Sequence, residues 1–514
     1  MIGIVVSRAD RASTHIAERL LARGEWTERT DGSRADADGG GSYHTLDADG
    51  GRPSHQGDAA AAASRFELRS FDELHIHLDD PAPAFSERPD YLVFVSRHSG
   101  DTGPLLTCHF TGNFGEAEYG GESGSFAPAC PGVQRALVAG FDEHAPDGYG
   151  VAIEGTHHGP TDLATPAVFA ELGSDDEQWD DPDGADAVAR AVLELPSRGA
   201  SVAVGDPGRP RHVVGFGGGH YAPRFERVIR ETAWGVGHIA SDWQLEELGH
   251  PSEHGDVLDG AIRASDAEFA LVEGEYPVLR ETLAERDVRV VSETWLRAVD
   301  DCPFDLVASL EADLRSVDDG LRFGDRVADV GADEGGAVAE DGGAGGGARR
   351  SGPADAYRVV DLPADLLAEA QGIDADAVRA VVERHTVAFE TEQAGTRAVG
   401  RAALPVGPTA VRDADGGAGA AGHASADAGD PFGSYDALVD DLASVLAEKY
   451  DDVVREDGAV RARIESFDPE RAATLGVPEG PKFGALSAGE PVEVDGETIR
   501  PETVAREREE VFAV

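Results

Sequence analysis

The amino-acid sequence predicts an α/β fold, and three observations carry that reading. Short apolar runs with the character of buried strands alternate with stretches of helical period. Three of these runs end in islands dense in His, Gly, Thr and Asn. Polar loops leaving strand ends can converge on one point, which is how α/β enzymes assemble sites.

Ile2-Gly3-Ile4-Val5-Val6 is apolar throughout, as a strand covered on both faces is. Ser13 to Leu21 follows as a helix. Asp31 to Ala63 is rich in Gly, Asp, Ala and Ser and is expected to be a disordered insertion. Tyr91 to Ser96 is the next strand and ends at Arg97-His98-Ser99. Leu105 to Phe110 reads as a third, carrying Thr107-Cys108-His109 toward Gly112-Asn113. Gly132 to Phe141 is helical in pattern. Gly150 to Glu154 is a strand that runs into Gly155-Thr156-His157-His158-Gly159-Pro160-Thr161-Asp162. Ala185 to Leu195 is helical, and the strand His212 to Phe216 leads into Gly217-Gly218-Gly219-His220-Tyr221-Ala222-Pro223-Arg224. Arg224 to Thr232 is the helix after it.

The α/β pattern continues to about residue 325, so residues 1–325 are expected to be the catalytic domain. Residues 329–355 read as a linker. Residues 356–514 read as a smaller α+β extension, interrupted by a second low-complexity stretch over 413–430.

Composition narrows the function classes. The chain has 514 residues and a net charge of -54, from 98 acidic against 44 basic residues. Only Lys449 and Lys482 are lysines. Acid excess with so few lysines fits a salt-loving cytoplasm, where the Debye length shrinks to about 3 Å near 1 M salt. Such a charge would ordinarily oppose nucleic-acid binding, but under that screening a local arginine patch can still act. Cys108, Cys130 and Cys302 are odd in number and far apart, which rules out a disulfide framework and a Cys-x-x-Cys zinc site. The first residues carry no basic leader, and no apolar stretch approaches a membrane span. A cytoplasmic protein with no membrane contact is expected.

Histidine is the commonest metal ligand and the side chain best suited to proton transfer near neutral pH. His98, His109, one of the pair His157 and His158, and His220 could supply a histidine-rich zinc site with an open position for water. They could equally serve as bases without metal. At most one of the adjacent pair should face a shared site unless the loop is tightly bent. His238 is a sixth nearby histidine, and any single one of these is more simply a hydrogen-bonded structural residue. Ser99 and Thr161 are candidate nucleophiles, with a capping or turn hydroxyl as the favoured reading. Gly217, Gly218 and Gly219 sit between a strand and a helix, where backbone N–H groups could receive a phosphate or an oxyanion. His220 stands where a dinucleotide fingerprint needs glycine. Arg224, Arg227 and Arg230 suit phosphate contact, with salt bridges to Glu226 and Glu231 as the rival reading. Asp175-Asp176-Glu177 and Asp180-Asp181 read as solvated surface. The sequence has no His-Glu-x-x-His helix, no Gly-x-Ser-x-Gly elbow and no P-loop.

Taken together, several stretches resemble the archaeal and plant type of D-aminoacyl-tRNA deacylase. They are Ser96 to Ser99 with Leu106-Thr107 and His109; Gly112-Asn113-Phe114; Thr156 to Leu163 with Glu171 to Ser174; and Gly215 to Phe225 with Gly237-His238-Ile239. The resemblance covers roughly residues 1 to 300, apart from the 31–63 stretch. It implies a three-layer αβα core with a mixed sheet, similar to the cores of peptidyl-tRNA hydrolases and nucleoside phosphorylases. It also implies a zinc-dependent hydrolase, with up to two Zn2+ per chain, that cleaves the ester of D-aminoacyl-tRNA or mischarged glycyl-tRNA. On that reading His98, Ser99, His157, His158, Thr161 and His220 are the catalytic candidates. His98, His109, His157 and His220 are the metal candidates, and Asn113, Gly217, Gly218, Gly219, Tyr221 and Arg224 contact substrate. A monomer acting on D-aminoacyl-tRNA is expected. The alternatives are a peptidyl-tRNA hydrolase or nucleoside phosphorylase-like enzyme on a similar core, or a tRNA-binding protein without activity. Leu475 to Leu486 with Gly489-Glu490 is similar to a short segment near the C-terminus of the ribonuclease Z family, whose metal-binding His-x-His-x-Asp-His motif is absent here.

Overall fold

The computed structural model describes residues 1–47, 65–195, 199–202, 209–331, 356–406 and 435–514. They divide into two compact units, Met1–Asp301 and Cys302–Val514.

The first unit holds β1 (Ile2–Ser7), α1 (Arg11–Ala22), β2 (Thr27–Asp31), β3 (Gly41–Asp47), β4 (Arg65–Phe71), β5 (Tyr91–Arg97) and β6 (Leu105–His109). It continues through α2 (Pro131–His144), β7 (Gly150–Ile153), β8 (Ala167–Gly173), α3 (Asp176–Trp179) and α4 (Pro182–Leu193). Then come β9 (His212–Phe216), α5 (Pro223–Glu231), β10 (Gly235–Ala240), α6 (Asp242–Leu248), α7 (Gly255–Ala264), β11 (Phe269–Val272), α8 (Pro277–Ala284), β12 (Arg289–Val291) and α9 (Glu293–Ala298). Eight strands form a mixed sheet in the order β2-β3-β4-β1-β5-β8-β6-β7, and four form a parallel sheet in the order β10-β9-β11-β12. The expected α/β class with a mixed sheet is the architecture present.

The central strands β1 and β8 are buried at every residue, which is why they read as continuous apolar runs. Asp10 caps α1 by accepting from the Ser13 N–H, and α1 buries Ile16 and Leu20. Pro131 and Pro182 open α2 and α4, where a missing N–H costs nothing. On one face of the mixed sheet Val5, Leu92, Phe94 and Phe169 pack with Phe71 and Phe85. In the parallel sheet Val214, Phe216 and Ala240 pack against Leu245 of α6, Leu258 of α7 and Leu279 of α8.

Two expectations need correction. Part of the stretch expected to be a disordered insertion is regular: β2 and β3 form an antiparallel hairpin that pairs with β4 at the sheet edge. Edge strands tolerate polar sequence because one side meets water. Arg69 anchors the hairpin, 2.8 Å from Asp31 and 2.7 Å from Glu67, with its guanidinium 4.0 Å from the Tyr43 ring centroid. Residues 48–64 lie outside the described residues. The boundary expected near residue 325 falls at Asp301.

The reason for the second correction is pairing. Residues 321–323, β13 (Leu321–Phe323), pair antiparallel with a strand of the second unit, Ala388–Glu392. Among its described residues that unit carries a four-stranded, a three-stranded and a two-stranded sheet. Leu366, Val378, Leu438, Leu442 and Phe512 meet in its core. Within it residues 475–486 lead into a short helix, Pro481–Ser487, and pack Val477 and Leu486 with Val492 and Val504. Most of the expected linker and all of 413–430 lie outside the described residues. No helix among the described residues is long and apolar enough to cross a membrane.

Candidate active site

One face of the mixed sheet carries the site. Register places Ser96 of β5 beside Glu171 of β8, and Glu171 opposite Thr107 of β6. Side chains two residues apart share a face, so His109 and Phe169 continue the same row. The His109 and Phe169 rings stack at 5.1 Å. Ser96 donates to Glu171 Oε1 at 2.6 Å, and Thr107 donates to Glu154 Oε1 at the end of β7.

The three islands meet over this row. His98, just past β5, lies with Nδ1 3.2 Å from Glu154 Oε1 and 3.6 Å from Glu171 Oε2. His109 Nε2 is 3.5 Å from Glu171 Oε1. His220, after β9, places Nε2 2.9 Å from Glu154 Oε2, and His157 Nε2 is 3.9 Å from the same oxygen. Both members of the adjacent pair face the cluster. The His109 ring lies 4.2 Å from that of His157 and 4.8 Å from that of His158. The loop is bent tightly enough for this because His158 adopts φ of +49°.

The tautomers point one way. His109, His157 and His158 each place Nδ1 within hydrogen-bond distance of a backbone carbonyl, those of Phe110, Gly155 and Gly159. With Nδ1–H donating there, each Nε2 lone pair is turned toward the shared space, the usual arrangement of metal-ligating imidazoles. His109 Nε2 is buried and, beyond the 3.5 Å approach of Glu171 Oε1, has no polar partner among the described residues. Within the cluster three sets bring donor atoms within 4.8 Å of one another, His109-His157-His158, Glu154-His157-His220 and His98-Glu154-Glu171; a fourth among the described residues, Glu143-His144-Glu194, lies outside it. Nitrogen and carboxylate donors in these numbers suit zinc.

Electrostatics hold the carboxylates ionised. Burial opposes the charge on Glu154, but His220 and His98 outweigh it and keep its pKa well below the usual value. Glu171 is lowered in the same way, by His109 and His98 against burial. Burial also opposes the charge on His98, yet Glu154 and Glu171 together raise it to about 11. Burial, with His109 nearby, lowers His157 to about 4, and burial with His157 lowers His158 well below its ordinary value.

Glu154 and Glu171 were not among the expected site residues. The signal was present: Glu171 is the lone charge in the apolar run Ala167–Gly173, and a carboxylate inside a buried strand demands a partner.

Other expected residues sit elsewhere or have other duties. Ser99 is exposed beyond β5 and makes none of the cluster's contacts among the described residues. Thr161 is buried and accepts from the Glu122 N–H at 2.9 Å, and Asn113 donates to the Gly120 and Glu122 carbonyls. Both brace the 113–122 loop. In the glycine loop two of the three N–H groups are not open to an anion: that of Gly217 donates to Ala240 O and that of Gly218 to Asp242 Oδ1, each at 2.7 Å. The arginine patch is corrected too, because Arg224 and Arg227 both bind Glu293 at 2.7 Å. Arg230 binds Asp142 and Glu226. Tyr221 does reach the cluster, its hydroxyl 3.1 Å from His98 Nε2. His238 is structural, held between Thr156 Oγ1 and the Ala127 carbonyl. Asp175 and Asp181, expected to be solvated surface, cap α3 and α4.

A cavity of about 220 Å3 adjoins His157 and His158 and is walled by Phe114, Tyr119, Trp243 and Glu247.

The chain is similar to several known proteins. Residues 85–291 match the D-aminoacyl-tRNA deacylase family. The chain is 50% identical to a D-aminoacyl-tRNA deacylase of Halorubrum lacusprofundi, over 100% of this chain and 97% of that one. It is 46% identical to the enzyme of that name from Natronomonas pharaonis, over 100% of both chains. A methanogen relative of the same name, from Methanosphaerula palustris, is 34% identical over 81% of this chain and 83% of its own. Among solved structures, a conserved protein of unknown function, AF0625, is 25% identical with a TM-score of 0.46, covering 58% of this chain and 96% of that one.

Proposed function

The chain belongs to the D-aminoacyl-tRNA deacylase family, and from that premise we propose that the His/Glu cluster is where it hydrolyses the ester of D-aminoacyl-tRNA. The products are free D-amino acid and tRNA. The observation that carries the reading is full-length identity of 50% to a deacylase of this name, joined to the meeting of His98, His109, His157 and His220 on two buried carboxylates. No comparison favours the peptidyl-tRNA hydrolase or phosphorylase alternative.

Zinc fits the donor set on chemical grounds, with buried imidazoles whose Nδ1–H groups are held by backbone carbonyls and whose Nε2 atoms face the carboxylates and one another. Glu154, His157 and His220 are the residues we assign to hold it, a His2Glu set of the kind catalytic zinc uses. His109 and His158 form an alternative set with His157, whose one free nitrogen, Nε2, can serve a single ion. Bound there, the ion would acidify a water molecule and polarise the ester carbonyl.

The chain's own residues do the rest. His157 and His220 are the open side of the cluster, with side chains 23% and 30% exposed, so substrate arrives from their side. Glu154 fixes His220 and His98 through its two oxygens. Tyr221 stands against His98 at the rim, where its hydroxyl can donate to the oxygen that gains charge as water adds to the carbonyl. Thr161 and Asn113 hold the loop that walls the adjoining cavity. Every donor comes from one chain, so this reading needs no partner copy.

The test is direct. Purified protein in molar salt is incubated with D-Tyr-tRNA and L-Tyr-tRNA, and free tyrosine is measured. Selective release of the D-amino acid is expected. Equal release of both, or of neither, sinks the reading.

A further inference from the structure

We propose that Trp243 is the platform on which the 3′-terminal base of the acylated tRNA stacks, an inference that rests on the deacylase reading above. Among the described residues only two aromatics are large hydrophobic side chains left exposed, Tyr119 at 67% and Trp243 at 42%. Both line the same cavity beside His157 and His158. Trp243 also lies 6.5 Å, ring to ring, from His220. The indole thus borders both the cavity and the His220 edge of the cluster. Large aromatics left in water beside a site mark a surface that a ligand covers.

Charge decides which part of the tRNA covers it. Glu116, Glu118 and Glu247 line the same cavity, and a rim of carboxylates repels phosphate. The arginines of α5 are spent on Glu293, Asp142 and Glu226. A neutral planar base meets no such penalty. Every base offers a π face, and stacking on an aromatic side chain needs no cation. The 3′ end of a tRNA is single-stranded, so its last base is free to stack. The scissile ester hangs from the ribose of that same nucleotide. A base on the indole therefore delivers the carbonyl to the His220 side of the cluster.

The experiment compares wild type, Trp243→Phe and Trp243→Ala on D-Tyr-tRNA in molar salt, with adenosine as competitive inhibitor. Trp243→Ala is expected to raise KM about ten-fold or more while kcat holds, and to raise the adenosine inhibition constant in parallel. Trp243→Phe keeps a ring and should recover most of both. An unchanged KM, a loss in kcat alone, or the same adenosine constant in wild type and Trp243→Ala overturns the proposal. Adenosine should also change the tryptophan fluorescence of wild type and leave that of Trp243→Phe unaltered. If wild type releases no D-tyrosine the deacylase reading falls, whereas the platform is still decided by that fluorescence change, whose absence overturns it.

Discussion

Nε2 of His220 lies 2.9 Å from Oε2 of Glu154, and this contact ties the end of a strand in the parallel sheet to the end of one in the mixed sheet. The other oxygen of the carboxylate meets His98 at 3.2 Å. A single buried side chain is therefore the junction of all three histidine islands.

Glu154→Gln keeps the size of that junction and removes its charge. Activity on D-Tyr-tRNA is expected to fall at least about a hundred-fold, the scale on which positioned acid-base and electrostatic groups act. Fluorescence or circular dichroism melting separates this from unfolding. A variant within a few-fold of wild type would remove Glu154 from the site.

Metal removal tests the donor set as a whole. Dialysis against a strong chelator is expected to abolish hydrolysis and lower Tm, because an ion that binds only the folded state stabilises it by mass action. Added Zn2+ should restore both. Retention of full activity in protein shown by elemental analysis to be metal-free would leave the imidazoles as bases alone.

The hydroxyls should matter little. Thr161→Ser keeps the bond from the Glu122 N–H and is expected to be near wild type, while Thr161→Ala loosens the 113–122 loop and costs about 1 kcal/mol of stability. Ser99→Ala is expected to change kcat less than about three-fold, since single surface changes rarely perturb a fold. A loss of activity in Ser99→Ala by orders of magnitude, detected in the same D-Tyr-tRNA assay, would revive a nucleophilic serine.

Much of this site was legible in the sequence because strand ends and Gly-rich loops are local signals. His98, His109, His157, His158 and His220 all stand where an island leaves a strand, and they meet. Glu171 was harder, because its role comes from register across three strands, which no single segment encodes. The duties of Arg224 and Gly218 were hidden for the same reason. Their partners, Glu293 and Asp242, are 69 and 24 residues away along the chain. The hairpin β2–β3 was missed because Gly- and Asp-rich composition masks an edge strand that needs no apolar face.

Those arginine pairs yield a further expectation. Arg227, Arg297 and Arg224 hold Glu293 at a pKa of about 2, against an ordinary value of 4.5. A depressed carboxyl contributes stability above its unfolded value and loses it as pH falls toward the folded one. The contribution is thus complete above about pH 4.5 and fades toward pH 2. Glu293→Gln should lower stability modestly at pH 7, by under about 1 kcal/mol for partly exposed pairs in high salt, and the Tm gap to wild type should close in acid. Thermal melts at pH 7 and pH 3 check this, and a gap that widens in acid would contradict it.

The glycine loop gives the last prediction. Gly217 has φ of +88°, and a Cβ there would lie 1.9 Å from the Glu273 carbonyl oxygen. That obstacle is backbone, so it cannot swing aside as a flexible side-chain tip can. Gly217→Ala must move the loop, and His220 lies three residues on. The positive φ alone costs on the order of 1–3 kcal/mol in a non-glycine residue. The same substitution at Gly219, where a Cβ meets open space, carries neither penalty. Gly217→Ala is therefore expected to lower both Tm and kcat, and Gly219→Ala to leave both near wild type. Equal effects at the two positions, measured by melting and by D-Tyr-tRNA hydrolysis, would mean that the loop does not set the place of His220.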